Sequence, residues 1–545
     1  MASYERALRS MLAGASRARP ITADEMSTTL LDLFNLRVPP VFAVAVSGGV
    51  DSMATAYLAH RFAEQNGSKV VALTVDHSLR PNSASEALAV GGVLRKIGIR
   101  NHDILTINWT KYNSNIHTHS GEDNVSGGNE NGGAGLEERA RQLRYELLVK
   151  AMAARRIRHL VVAHTLDDQV ETAIMRLIRR NGSSSALSGI SRMPVRIPGA
   201  GTVLPRGDSE FMLLRPLLAH SKLRLIATCR DARVQWFEDL TNHEPTYTTR
   251  NAVRALLAMP ESVLPKALQP AAIAAACFRV GQAREQHVKR ATELINNALN
   301  ANQIVLARDD MAAEWTLDPS KLVTEHLFVA TMLITSICAM VTGRVEADVP
   351  RRKVIEVVAA AFLDQRSGKP FSALGALWTR VASLSSTAKA EQQLITWRIC
   401  RQPLSRGSMP VSFITLPRPG SGQNWSQWTL WDNRLWFRIR GRRRGSITSS
   451  WPSSPPTTAD DSPRMFVIKP LSEIDITTLH KYKRKPRRTM NDPKLSIIPV
   501  IYDVSVGRIV AVPTWEMRVS KLEDHDIQWE MLPRSTELAN AKIVR

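Results

Sequence analysis

Cysteine is scarce in this 545-residue chain: Cys229, Cys277, Cys338 and Cys400 are widely separated and form no CxxC pair. That spacing excludes a disulfide scaffold, a zinc ribbon and an iron–sulfur site built from local pairs, and it points to a reducing compartment. Long apolar runs are missing too. The longest uncharged apolar stretch, Leu327 to Val341, has 15 residues and includes Thr331, Thr335 and Ser336, whereas a bilayer span needs about 20 apolar residues. No membrane partner is expected. The third shortage is negative charge: 50 acids face 72 Lys and Arg, for a net +22 and a pI near 10.3.

With 44 % hydrophobic residues the chain is rich enough for ordinary cores, and its length implies two to four domains at roughly 100–200 residues each. The basic excess predicts a polyanionic partner, for which nucleic acid is the commonest choice in soluble proteins. It is concentrated: residues 431–490 hold fourteen Lys or Arg against five acids. The first twenty residues contain Arg6, Arg9, Arg17 and Arg19 with one acid, Glu5, the composition of an organelle transit segment.

After a short helical pattern around Met26–Leu36 and the Pro39-Pro40 break, the chain reads as α/β. Val41–Val46, Val70–Val75, Ile104–Trp109 and Leu160–Ala163 are apolar strand-like runs separated by helical patterns, which predicts a parallel sheet covered on both faces. In such sheets ligands collect at the carboxyl ends of the strands. Asn113–Gly135 is a polar insertion, Leu264–Val341 has helical spacing, and Ser446–Pro463 reads as a linker. Ile497–Tyr502 and Arg508–Val512 are strand-like, giving a small β-rich end. The expected division is therefore a transit segment and short helix (1–40), an α/β domain (41–260) with its insertion (113–135), a helical domain (261–400), and a basic β-rich region (401–545) with the linker (446–463).

Three clusters carry chemistry. Ser47-Gly48-Gly49-Val50-Asp51-Ser52 lies between the first strand and a helix, where glycines, hydroxyls and free N–H groups bind phosphate. It lacks a Walker lysine, and Asp51 fits a metal ion carried with a nucleotide. His164, Asp168 and Glu171 follow the fourth strand at helical spacing, which predicts that they share one narrow helix face. A His/Asp/Glu stripe there suits a cationic ligand or a proton carrier. Arg141 and Arg144, three apart on another predicted helix, form an anion clamp.

The hexapeptide matches the SGGxDS signature of the PP-loop ATP pyrophosphatases. Further elements resemble one branch, the tRNA(Ile)-lysidine synthases: Asp76-His77-Ser78-Leu79-Arg80, Ala140-Arg141-Gln142-Leu143-Arg144-Tyr145, Ala163-His164-Thr165-Leu166-Asp167-Asp168-Gln169-Val170-Glu171-Thr172, Leu214-Arg215-Pro216-Leu217-Leu218, Trp236–Asn242 and Arg250-Asn251-Ala252-Val253-Arg254. These cover about residues 41–257 in family order. Two departures stand out. Thr165 replaces a second histidine, and Arg180-Asn181-Gly182-Ser183 has its glycines displaced from the family's loop. Trp431-Asp432-Asn433-Arg434 and the basic run His480–Arg488 resemble the family's C-terminal part more weakly. That run also fits a nuclear signal or a solvated loop, and Trp425, Trp428, Trp431 and Trp436 fit either base stacking or a barrel core.

The resemblance implies a Rossmann-like PP-loop domain and an enzyme that uses ATP and Mg²⁺ to join free L-lysine to the CAU anticodon of tRNA(Ile), with a homodimer among its assemblies. It places ATP on Ser47, Gly48, Gly49, Val50, Asp51, Ser52, Asp76 and His77, the metal ion on Asp51, and phosphate charge on Arg141 and Arg144. His164, Asp168 and Glu171 then handle lysine and its proton. Arg250, Arg254, Lys481, Lys483, Arg484, Lys485, Arg487 and Arg488 are the expected tRNA contacts. The address is mitochondrial, with cytoplasm as the alternative. A PP-loop tRNA thiolase and a catalytically degenerate RNA-binding protein remain as rival readings.

Overall fold

The computed structural model describes residues 18–78, 83–109, 132–179, 187, 189–192, 194–197, 211–237, 249–257, 259, 263–307, 311–318, 325–343, 356–357, 369–381, 394–403, 409–416, 425–432, 434–443, 465–472, 475–476, 479, 497–504, 507–518, 525–533 and 542–544. Of the expected insertion 113–135, residues 113–131 fall outside them, as do the linker 446–463, Arg180–Ser183 and the basic run Lys481–Arg488, whereas Gly132–Gly135 already belong to a helix and not to the insertion. The chain divides into two compact units, the first ending at Gln286 and the second starting at His287.

The first unit is built on strands β1 (Val41–Ala45), β2 (Lys69–Asp76), β3 (His102–Thr106), β4 (His159–Val161), β5 (Val195–Arg196) and β6 (Met212–Leu214), in the order β3-β2-β1-β4-β6-β5. The first five in that order run parallel and β5 is antiparallel at the edge. Helices α1 (Ala23–Leu33), α2 (Val50–Gln65), α3 (Ser83–Lys96), α4 (Gly132–Ala154), α5 (Leu166–Arg179), α6 (Lys222–Asp231) and α7 (Thr249–Leu257) connect or follow the strands. β1 is buried on both faces because its residues are small or branched and apolar, as a covered parallel strand requires. Phe34, Phe42 and Phe62 cluster below it with ring centroids 5.5–6.2 Å apart. The chain leaves β1 toward β2 on one side and returns to β4 on the other, so the strand order reverses at β1. That reversal puts a topological switch point between the carboxyl ends of β1 and β4, the crevice where ligands usually sit in such sheets.

The start of the described chain is tied into this unit. Thr22 and Glu25 form a reciprocal capping box on α1. Ile21 N donates to Thr228 Oγ1 at 2.8 Å, and Arg224 donates to the carbonyls of Arg19 and Pro20 at 3.1 and 3.0 Å. Arg224 also pairs with Glu25 at 2.7 Å. Burial raises the Glu25 pKa, but the bonds from Arg224 and Thr22 outweigh it and hold the carboxyl at about 2.

The region 261–400 differs from the helical domain expected. It contains the long helix α8 (Pro270–Asn300) and the apolar α9 (Leu327–Thr342), but also strands β7 (Ile304–Ala307), β8 (Ala312–Leu317), β9 (Phe371–Ala373), β10 (Ala376–Val381) and β11 (Ile395–Arg401). With β20 (Lys542–Val544) they form the sheet β20-β7-β8-β11-β10-β9. The physical reason is local: β7 and β8 are short, and their alternating burial is hard to separate from the helical spacing on either side. α9 lies on this sheet over Trp378, Trp397 and Ile399.

The β-rich C-terminal region is as expected. β12 (Ser412–Thr415), β15 (Met465–Pro470), β16 (Pro499–Asp503), β17 (Arg508–Val512) and β18 (Met517–Arg518) form one antiparallel sheet, and β13 (Thr429–Trp431), β14 (Leu435–Arg443) and β19 (His525–Pro533) another. The turn between β13 and β14 puts Asp432 at φ 50° and buries its carboxylate between Arg401 Nε and Arg434 Nε, each at 2.6 Å. Among the described residues no helix is long and apolar enough to cross a membrane.

Candidate active site

The hexapeptide after β1 is a loop built around one hydroxyl. Ser52 Oγ accepts from Ser47 N and Gly48 N, both at 3.1 Å, and donates to the Gly49 carbonyl at 2.9 Å. Ser52 is therefore a scaffold for the loop and not the free ligand donor its position suggests. Gly48 has φ +91° and no room for a methyl, since a Cβ there lies 2.7 Å from Val90 Cγ2. Its carbonyl accepts from Phe237 N at 2.9 Å. Gly49 is the N-cap of α2 and offers no side-chain cap, so the backbone N–H groups opening α2 face the crevice as an anion site.

Asp51, in the first turn of α2, has a buried Oδ1 with no partner among the described residues. Burial raises its pKa to about 6, opposed by Lys222 and Arg254 and reinforced by Asp168 and Asp167. Among the described residues no three His, Cys, Asp or Glu stand together as a metal cage. An orphaned, electron-rich carboxylate beside a phosphate site suits Mg²⁺, which commonly takes one or two carboxylates and completes its shell with phosphates and water.

At the end of β2, Asp76 accepts from Ser78 N at 2.8 Å and is bound into the turn. His77 has a buried Nδ1 without a partner among the described residues. Burial, helped by Arg144, lowers its pKa.

His164, Asp168 and Glu171 do not form one helical stripe. The helix begins at Leu166, because Thr165 caps it: Thr165 Oγ1 and Asp168 N are 3.4 Å apart, while Asp168 Oδ2 accepts from Thr165 N at 2.9 Å and from its hydroxyl at 3.0 Å. His164 thus stays in the turn after β4. The residue that replaces the expected second histidine is the cap itself.

The three side chains also have different partners. His164 Nδ1 accepts from Arg215 Nε at 3.2 Å, and burial, then Arg215, lowers its pKa to about 4 despite Asp168. Arg141 and Arg144 act on it in the same sense, and both guanidiniums lie over Tyr145, 5.6 and 5.5 Å from the ring centroid. This corner suits an anion, not an ammonium. Glu171 is buried and accepts from Arg254 Nε at 2.6 Å. Arg254, expected among the tRNA contacts, is therefore at the crevice wall; the Arg250 side chain lies outside the described residues. Gln169 holds the next segment by its amide, accepting from Ile190 N at 2.6 Å.

Arg215, after β6, and Lys222, at the start of α6, are site residues that the sequence alone does not single out. Arg215 is visible within its Arg-Pro-Leu-Leu element, but Lys222 belongs to no motif, and only the fold brings it toward Asp51. The four cysteines are buried. Burial pushes Cys229 up to about 12 and Cys277 up to about 11, the reverse of what a reactive thiol needs. In the second unit Trp431 and Trp436 are core. Trp425 and Trp428 sandwich Arg438, with centroid distances of 4.6 and 4.7 Å, so Arg438 already stacks on one face of each.

Residues 22–261 match ATP_bind_3, a PP-loop domain. The chain is similar to the tRNA(Ile)-lysidine synthase of Bradyrhizobium sp. strain BTAi1, 39 % identical over 220 residues, 40 % of this chain and 51 % of that protein. It is 34 % identical over 223 residues to that of Rhodopseudomonas palustris, 41 % of this chain and 54 % of that protein. A probable tRNA(Ile)-lysidine synthase of Schizosaccharomyces pombe is 28 % identical over 402 residues, 72 % of this chain and 76 % of that protein. The match thus spans about half the length of the bacterial relatives and more of the fission-yeast one. Residues 22–261 therefore form a PP-loop domain, and the chain is similar over that domain to tRNA(Ile)-lysidine synthases.

Proposed function

We propose that this chain ligates lysine to the wobble cytidine of tRNA(Ile) bearing a CAU anticodon. The observation that carries the proposal is one crevice with two electrostatic halves. An open helix N-terminus and the Arg141, Arg144 and Arg215 corner favour phosphate, while Asp51, Asp167 and Asp168 favour cations. The cytidine O2 attacks the α-phosphorus of ATP and pyrophosphate leaves. The ε-amino group of lysine then attacks C2, and AMP departs with that oxygen. An ammonium has no lone pair, so one proton must be taken from lysine before the attack. Mg²⁺ held by Asp51 and the nucleotide would neutralise phosphate charge.

The tRNA grip belongs on this reading to Lys481, Lys483, Arg484, Lys485, Arg487 and Arg488, with Arg250. Reversing Lys483, Arg484 and Lys485 should weaken binding and flatten its salt dependence by about 0.7–0.9 in slope for each phosphate no longer neutralised; unchanged affinity at physiological salt refutes that assignment. The Arg-rich start supports a mitochondrial address, which a fluorescent fusion of residues 1–40 tests by where it collects.

The deciding assay is incubation with tRNA(Ile), ATP and labelled lysine. Incorporation that disappears in Asp51→Asn supports the ligase. Sulfur incorporation supports the thiolase reading, and tRNA binding without turnover the degenerate one.

A further inference from the structure

The surroundings of His164 separate two tasks that the family motif places side by side. Arg215 Nε donates to His164 Nδ1 at 3.2 Å. A guanidinium offers only donors, so Nδ1 accepts, and in the neutral ring the proton sits on Nε2. The charged groups facing the ring are Arg215 after β6, Arg141 and Arg144 on α4, and Asp168 on α5. Three cations against one carboxylate disfavour an imidazolium, and burial acts in the same direction. Nε2 has no partner among the described residues. Asp168, in contrast, spends Oδ2 on Thr165 and keeps Oδ1 without a partner among the described residues.

We infer that Arg215 is a positioning residue that holds His164 as the neutral Nε2–H tautomer, so that His164 donates a hydrogen bond to an anionic oxygen of the nucleotide or adenylated intermediate and takes no proton from lysine. The lysine proton passes instead from Nζ to the carboxylate side of the crevice, where Asp168 Oδ1 is open, leaving the nitrogen lone pair to form the new bond to C2. The identity of the anion and of the amine rests on the ligase reading, whereas the tautomer does not.

Two measurements on the full chain test this. With ¹⁵N-labelled histidine, the two-bond ¹H–¹⁵N pattern that vanishes in His164→Gln identifies the ring. It should report Nε2–H from pH 8 to below pH 5, and Arg215→Met should give mixed tautomers and titration nearer the ordinary value. An Nδ1–H ring, or an imidazolium near pH 6.5, in the unaltered chain overturns the inference. In the lysine assay, His164→Gln keeps a donor close to the Nε2 position and should hold kcat within about 10-fold, while His164→Ala should lose on the order of 10²–10³-fold, as for a transition-state donor. Equal loss in both returns the base to His164. Arg215→Met should lower kcat more than it raises KM for lysine and add an acid limb to the pH profile, with Arg215→Lys recovering part of the rate. Absence of lysine incorporation with the stated tautomer refutes the ligase reading and leaves the Arg215 role standing; incorporation with an Nδ1–H ring does the reverse.

Discussion

Asp51→Asn should make the ligand-free protein more stable while abolishing its activity. The carboxyl has a folded pKa of about 6 against 3.8 for the unperturbed group, so the fold binds its proton more tightly than the unfolded chain does. Unfolding therefore becomes easier as pH rises from about 4 to 6, and above pH 7 the full difference applies. At about 1.4 kcal/mol per pKa unit, ionised Asp51 costs the fold up to about 3 kcal/mol. Asparagine removes the charge but keeps a polar amide in the same place, which leaves a net gain of about 1–3 kcal/mol. Hydrogen exchange of α2 in metal-free, nucleotide-free buffer reads this directly, as a slowing of roughly 5- to 150-fold at pH 8 relative to the unaltered chain. The difference should vanish below about pH 3, where both folded and unfolded carboxyls are protonated. With Mg²⁺ and ATP the order should reverse, because only the aspartate gains stability from binding. A variant that exchanges faster than the unaltered chain at pH 8 without ligand would show that Asp51 has a favourable partner in the folded state, and Asp51 would then not be a cation position.

Ser52→Ala strips the acceptor from two loop N–H groups and should cost about 1–3 kcal/mol in urea denaturation, with weaker ATP binding by calorimetry; unchanged ATP affinity would contradict the scaffold role. Thr165→Val should lose the cap, about 1 kcal/mol, and raise KM for lysine as Asp168 loosens, whereas Thr165→Ser should restore both. Glu25→Gln should destabilise the first unit at neutral pH by about 1 kcal/mol after solvent screening. Because the folded pKa is depressed, that difference is present above pH 4.5 and disappears as pH falls toward 2. Asp432→Ala leaves Arg401 and Arg434 without their shared carboxylate and should cost about 3–5 kcal/mol, measurable as a lowered unfolding midpoint; a neutral result would mean that the guanidiniums find other acceptors.

The phosphate side of the site is readable from sequence because it is local. A strand, a Ser-Gly-Gly turn and a helix are consecutive, so backbone N–H groups converge without help from distant residues. The lysine side is only half readable. Spacing alone places His164, Asp168 and Glu171 at one helical azimuth, but the helix cannot begin before its cap, and Thr165 takes that position. Arg215 and Lys222 come to the crevice through strand order, which pattern reading does not supply. The same limit applies in the second unit, where β7 and β8 are short enough for their alternation to blend with neighbouring helical spacing. Trp425 and Trp431 are six residues apart and chemically identical. Only strand pairing decides that one stacks on Arg438 while the other closes the core.

The anchoring of Arg19, Pro20 and Ile21 on α6 bears on how the chain can be processed. A peptidase that removed residues as far as Arg17 would leave those contacts untouched. Cutting a few residues further in would take away two carbonyls that hold Arg224, the N–H that pairs with Thr228, and then the cap of α1. A cleavage that leaves this anchoring intact must therefore stop just upstream of Arg19, and mass spectrometry of the purified native chain should find an N-terminus no later than that residue.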